Sequence, residues 1–367
     1  MKVLGILLGT NTAFITDEYF KKNKKKLEVL TDPELFDEEM LKSEDIPYDY
    51  AIFCECRHIG RRNGYDVIPL YGPTLTLEDC NECDFIFCIY EATFSFVTNG
   101  YDGYNHYMKC LKKTKAKVYP SVKIQEFILD KQTYMGYLEK KNYPIIPTEF
   151  IKVEDYMKNK SKVLNRIYRF MDDGEYSELK MKPQLAGFKS GFKYYKTVTD
   201  KSIDSYMRQM KKIDYKKILV QPFVSEFLKY WEIKTMWHNG QFCYAYGTKV
   251  GGDVDDTVPV SQGGELDDKL VNQVKKVGEK IVRDIQKTYG KQILLRIDFG
   301  CCIENDEICR EYFVNEVETN PTMTDDETPK DNFRLLAGAI MKGLWRVYER
   351  LIGSKLNSEI DDPSYSE

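Results

Sequence analysis

The chain has 367 residues, too many for one ordinary hydrophobic core, so two or three domains are expected. Lys and Arg number 54 against 58 Asp and Glu, a formal charge of −4, which argues against a nucleic-acid binder working by phosphate neutralisation. Ten cysteines are scattered through it, and in a chain of this size they read as free thiols in a reducing, cytoplasmic compartment. Cys80 and Cys83 have metal-pair spacing, but no second such pair exists, so free thiols are the default reading.

Taken in order, residues 2–8 read as a buried strand; the apolar run is too short, and lacks the cleavage site, for a signal peptide. Nowhere does an apolar run reach the ~18 residues that a membrane helix needs. A helix over Ala51–Gly64, a strand over Asp66–Leu70, an apolar strand over Phe85–Tyr90, a helix over 103–115 and a strand at Lys117–Tyr119 follow. Short apolar strands alternating with helices predict a parallel sheet, and a first α/β domain over 1–120.

The pattern then changes. Ser121–Lys141 carries an apolar stripe at helical spacing, with Asp130-Lys131 in mid-helix. Thr148–Lys152 is extended, 154–170 a polar helix, and Glu178–Met181 a strand running into Lys182-Pro183. A loop bearing Gly187, Lys189 and Gly191 comes next, then a helix around Ile203–Met210 and a strand over Ile218–Val224. Glu232–His238 and Phe242–Gly247 flank Asn239-Gly240, a strong hairpin signal. Residues 250–264 form a glycine-rich loop, Leu270–Tyr289 and 333–352 are helices, and 354–367 is a tail of disordered composition. The expected division after residue 120 is 121–218 and 219–353.

The chemistry is concentrated near the C-terminus. The runs 293–303 and 308–318 are rich in strand formers and are separated by a polar turn. Side chains alternate along a strand, so Arg296 shares a face with Asp298, and Glu316 with Glu318. If the hairpin pairs even with even positions, all four meet on one surface. Crowded carboxylates need a cation between them, and oxygen ligands suit a hard ion such as Mg²⁺. An arginine beside them suits a phosphoryl group. Lys182 before a glycine-bearing loop, with Lys189, adds a second phosphate signal. Gln221-Pro222-Phe223-Val224 ends a buried strand and leaves backbone groups open to an adenine edge.

The order of these pieces resembles the ATP-grasp superfamily, with a layout similar to its D-alanine–D-alanine ligase type. The motifs are RID at 296–298 and NEVETNPTMT at 315–324. The resemblance implies an N-terminal parallel α/β domain followed by a two-subdomain ATP-grasp fold. It implies an ATP-dependent ligase joining a carboxylate to an amine or thiol through an acyl phosphate. By position, Asp298, Glu316 and Glu318 would hold magnesium, two ions with manganese as the alternative. Arg296 and Lys249 would be catalytic. Lys131, Lys182, Gly187 and Lys189 would meet ATP phosphates, Gln221, Phe223 and Val224 the adenine, and Glu232 or Glu226 the ribose. Leu8-Gly9-Thr10 and Ser261-Gln262-Gly263-Gly264 would lie in substrate and closing loops. Glu318 stands where the family has Asn, and Gln221 where Glu is common. The D-alanine signature is not reproduced at Tyr90–Gly103. Partners would be small-molecule or peptide substrates, and family analogy suggests a homodimer. An inositol-phosphate type kinase and a non-catalytic nucleotide binder are the alternative readings.

Overall fold

The computed structural model describes residues 2–8, 14–15, 46–47, 53, 56–57, 59–88, 93–185, 191–225, 232–250, 259–260, 268–302 and 311–319. Among these, no helix is long and apolar enough to cross a membrane. The expected helix at 333–352, the tail, and the loops at Gly187, Lys189, Glu226 and Ser261–Gly264 lie outside the described residues.

A first sheet is parallel. Its strands are β1 (Lys2–Leu8), β4 (Tyr65–Tyr71), β5 (Phe85–Cys88) and β6 (Lys117–Tyr119), in the order β4-β1-β5-β6. Strands β2 (Phe14–Ile15) and β3 (Ile46–Pro47) form a separate short pair. Leu4–Leu8 and Phe85–Cys88 are buried throughout, as strands covered on both faces must be. Helices α1 (Leu77–Glu82) and α2 (Thr93–Lys113) connect them, α2 starting before the expected 103. Cys80, Cys83, Cys88 and Cys110 are free thiols buried here, and burial pushes Cys80 and Cys83 up to about 12.

The expected helix over 121–141 is two helices, α3 (Val122–Leu129) and α4 (Lys131–Lys140). Asp130 breaks it: its backbone is extended, and its carboxylate accepts from the amides of Gln132 and Thr133 at 3.0 and 3.3 Å. That caps α4 and puts Lys131 at its first position rather than mid-helix. Asn159 likewise splits the expected 154–170 helix into α5 (Val153–Lys158) and α6 (Lys160–Asp173) by capping the second with its side chain.

A second sheet is antiparallel, with strands β7 (Glu149–Lys152), β8 (Leu179–Pro183), β9 (Lys193–Tyr195) and β10 (Lys217–Pro222) in the order β7-β10-β8-β9. Leu179, Met181, Ile218 and Val220 pack into a core with α5, α6 and α7 (Asp200–Lys212). Strand alternation turns Lys180, Lys182, Leu219 and Gln221 to the other face, and the register pairs Lys182 with Leu219 and Lys180 with Gln221.

The third sheet is antiparallel: β11 (Glu232–His238), β12 (Gln241–Val250), β13 (Pro259–Val260), β14 (Leu294–Cys302) and β15 (Glu311–Glu318), in the order β13-β12-β11-β14-β15. Asn239 and Gly240, both at positive φ, make the predicted tight turn. Ile233, Trp237, Leu295, Ile297, Phe299 and Val317 form a core with α3, α4 and α8 (Asp268–Tyr289). On α8, Gly278 leaves room for Trp237, whose ring lies 2.5 Å from where a Cβ would stand. The opposite face of the sheet carries the charged side chains.

Candidate active site

At the charged positions the hairpin pairs even with even residues. Arg296 pairs with Glu318 and Asp298 with Glu316, so all four side chains share one face of β14 and β15. Beyond Asp298 the register shifts, Phe299 meeting Val314 and leaving Asn315 as an extra residue. This β-bulge lies at the acidic cluster. Asn315 uses its side chain to donate to Glu232 on β11 at 2.6 Å.

One carboxylate oxygen each from Asp298, Glu316 and Glu318 lies within 4.8 Å of the others, the one potential metal-ligand cluster among the described residues. Asp298 is fully buried. The Arg296 guanidinium grips it in a fork, Nε to Oδ1 at 2.7 Å and Nη2 to Oδ2 at 2.9 Å. The same Nη2 reaches Glu318 Oε2 at 2.9 Å. Burial would raise the Asp298 carboxyl, but Arg296 and Lys234 outweigh it and hold it low.

The facing sheet and α4 supply the cations. Lys131 Nζ donates to Glu316 Oε1 at 2.8 Å, and Lys182 Nζ lies 3.8 Å from the same oxygen. Burial works against an ionised Glu316, yet these two lysines, with Lys234, hold it well below the usual carboxylate range. Burial also pulls the Lys182 ammonium down to about 7, with Glu316 only partly offsetting it. Thus β8 and β15 face each other across a cleft whose walls are cationic on one side and acidic on the other.

Two further lysines join the predicted set, Lys180 buried and Lys234 half-buried. Lys180, two residues before Lys182, shares its face, and burial lowers its ammonium against the pull of Glu316 and Glu232. Lys234 bridges Asp298 Oδ2 at 2.7 Å and Glu232 Oε2 at 3.0 Å. Each stands two residues from a predicted residue on the same strand, Lys180 from Lys182 and Lys234 from Glu232, so the sequence places them on that face but does not mark their burial.

Farther along the cleft face, Gln221 Nε2 donates to Thr148 Oγ1 at 2.8 Å, and Thr148 in turn donates to the Ile146 carbonyl at 2.8 Å. Gln221 is 2% exposed, and its Oε1 is buried with no hydrogen-bond partner. Phe223 packs on Tyr194, ring centroids 4.3 Å apart, and its amide donates to the Glu178 carbonyl at 3.1 Å. Val224 follows at the end of this segment. Lys249 lies on β12 opposite Val260 and next to Thr248, the partner of Glu232, and its side chain is outside the described residues.

No known protein family matches the sequence, and no curated protein does. Solved structures do. D-cycloserine synthetase DcsG superposes with a TM-score of 0.61 at 14% identity, covering 94% of this chain and 100% of that one. The VanG D-Ala:D-Ser ligase of Enterococcus faecalis gives 0.59 at 12% identity, covering 94% and 99%. The ATP complex of Bacillus anthracis D-alanine–D-alanine ligase gives 0.56 at 14% identity, covering 96% and 100%. The chain has the ATP-grasp fold, in a layout like that of the D-alanine–D-alanine ligases.

Proposed function

We propose that this chain is an ATP-dependent ligase that joins a carboxylate to an amine through an acyl phosphate. The observation that carries the reading is one convergence. Lys131 from α4, Lys182 from β8 and Arg296 from β14 meet Glu316 and Glu318 from β15 at one cleft. Nothing in a structural role needs so many buried charges at the meeting of two sheets, and burying them costs free energy. The ATP complex of a protein of the same fold supports nucleotide use here.

The hard-oxygen cluster fits a magnesium ion. Glu316 and Glu318, with side chains 24% and 14% exposed, would hold it, and when bound it would screen the phosphate charge. Lys131, Lys182 and Arg296 would neutralise the phosphoryl oxygens as charge redistributes, while Gln221, Phe223 and Val224 hold the base and Glu232 the ribose. Lys131 and Lys182 now rest on Glu316 and would exchange that partner for phosphate. The γ-phosphorus–oxygen bond to ADP breaks as a substrate carboxylate oxygen bonds to phosphorus. An amine then attacks the acyl carbon, phosphate leaves with the carbon–oxygen bonding pair, and the nitrogen sheds a proton. No protein nucleophile takes part, so the buried thiols need no catalytic role.

Hydroxylamine trapping tests this. The chain is incubated with magnesium, ATP and a panel of amino acids and dipeptides, singly and in pairs. A hydroxamate formed with ADP release is the expected result. A stable phosphate ester without hydroxamate would make it a kinase instead.

A further inference from the structure

Lys234 sits where an arrangement of two divalent ions needs room. Two-ion sites place their metals roughly 4 Å apart and share carboxylates between them. Asp298 is the deepest carboxylate of the cluster, and its side chain has no solvent exposure. Both its oxygens are already engaged by cations that belong to the chain. Arg296 takes Oδ1 at 2.7 Å and Oδ2 at 2.9 Å, and Lys234 takes Oδ2 at 2.7 Å.

Lys234 is not a passing surface lysine. It lies on β11, which is paired on both sides, opposite Tyr246 on β12 and opposite Asp298 itself on β14. Its side chain is 15% exposed, and its ammonium is held a second time by Glu232 at 3.0 Å. A magnesium ion bound to Asp298 at about 2.1 Å would crowd an ammonium already on the same carboxylate. Like charges that close in a site of low dielectric repel strongly. Glu316 and Glu318 differ in exposure, their side chains being 24% and 14% exposed where Asp298 has none. Both lysines that hold Glu316 do so through a single oxygen, Oε1, and Arg296 reaches Glu318 through Oε2.

We propose that Lys234 takes the place of one divalent ion, so that the nucleotide complex of this chain holds a single metal, on Glu316 and Glu318. Asp298 then serves to aim Arg296 and Lys234 at the phosphates rather than to ligate metal. Lys234 is a built-in cation of fixed position, which the strand pairing supplies whatever the metal concentration. This rests on the ligase reading of the same cleft.

Counting manganese decides it. The full chain is saturated with a non-hydrolysable ATP analogue, and bound Mn²⁺ is measured by the loss of the free-ion electron paramagnetic resonance signal. Wild type and Lys234→Arg, which keeps the charge, are expected to bind one ion per chain. Lys234→Ala, which removes charge and bulk together, is expected to bind two. Two ions on nucleotide-loaded wild type, or one on folded Lys234→Ala, overturns the inference and leaves the ligase reading standing. Should Lys234→Ala not fold, the counts for wild type and Lys234→Arg decide alone. A chain that binds no nucleotide overturns both.

Discussion

Lys131 donates a hydrogen bond of 2.8 Å to Glu316, tying the first turn of α4 to a strand 185 residues further along the chain. Lys182 from the second sheet lies 3.8 Å from the same Glu316 oxygen, so α4 and that sheet both meet the third sheet at this residue. Each partner depends on the other: burial disfavours both charges, and the pair offsets that cost only while intact.

Neutralising Glu316 should therefore show in function first. Glu316→Gln leaves Lys131 and Lys182 facing an amide and takes away one of the two oxygen ligands proposed for the metal. Turnover should fall at least about a hundredfold, the scale of losing one preorganised electrostatic group. Asp298→Asn should cost as much, because Arg296 and Lys234 lose the anion that aims them. ADP release with the substrates found by trapping is the measurement. Near-wild-type rates in either variant would remove that residue from the machinery.

The hairpin was legible because charges recurred at period two inside apolar runs, a pattern that needs only strand alternation to be read. Its even-to-even register was a condition that alternation alone does not decide, and the strand pairing meets it at Arg296–Glu318 and Asp298–Glu316. The bulge at Asn315 was not read, although its trace is present. The β15 residues that pack into the core with α3, α4 and α8 run Tyr312, Val314, then Val317, and this change of phase is what an extra residue produces. Helix breaks were missed for a related reason. Asp130 and Asn159 sit inside continuous helical periodicity, and only their cap bonds reveal that the backbone leaves the helix there. Lys180, Lys234 and Thr148 were missed because nothing local marks a lysine or threonine as buried; their burial comes from sheets that meet only in the folded chain.

The cap at Asp130 makes a second prediction. Asp130→Ala leaves two amides of the first turn of α4 without their acceptor and should cost about 1 kcal/mol of stability. It should also loosen Lys131, the next residue, and weaken nucleotide binding severalfold. Urea unfolding and calorimetric titration with an ATP analogue read the two effects separately. Lost stability with unchanged affinity would show that the cap does not position Lys131.

Thr148 should set the choice of base. Its hydroxyl hydrogen is committed to the Ile146 carbonyl, so it can only accept from Gln221. The Gln221 amide is thereby fixed with Oε1 as the remaining acceptor, suited to an amino purine and mismatched to the oxygen of guanine. Thr148→Val frees the amide to turn over. Preference for ATP over GTP should fall by about tenfold, the value of roughly one hydrogen bond, mainly through weaker ATP binding. An unchanged ratio in a variant with wild-type melting behaviour would detach Gln221 from base selection.

Lys182 predicts a pH dependence whose sign can be worked out. Burial lowers its ammonium from the ordinary 10.5 to about 7, so at about pH 8 the empty cleft holds it mostly neutral. Between those values the unfolded chain binds the extra proton, so this group makes the fold more stable as pH rises through that window. Nucleotide binding runs the other way. Phosphate beside Lys182 favours the charged form, so binding at about pH 8 should take up close to one proton. Affinity should therefore weaken as pH climbs above about 7, the value to which burial brings Lys182. Calorimetry in two buffers of different ionisation enthalpy counts the proton directly. Lys182→Arg stays charged throughout and should bind without that uptake, so equal proton counts in the two proteins would assign the linkage to another group.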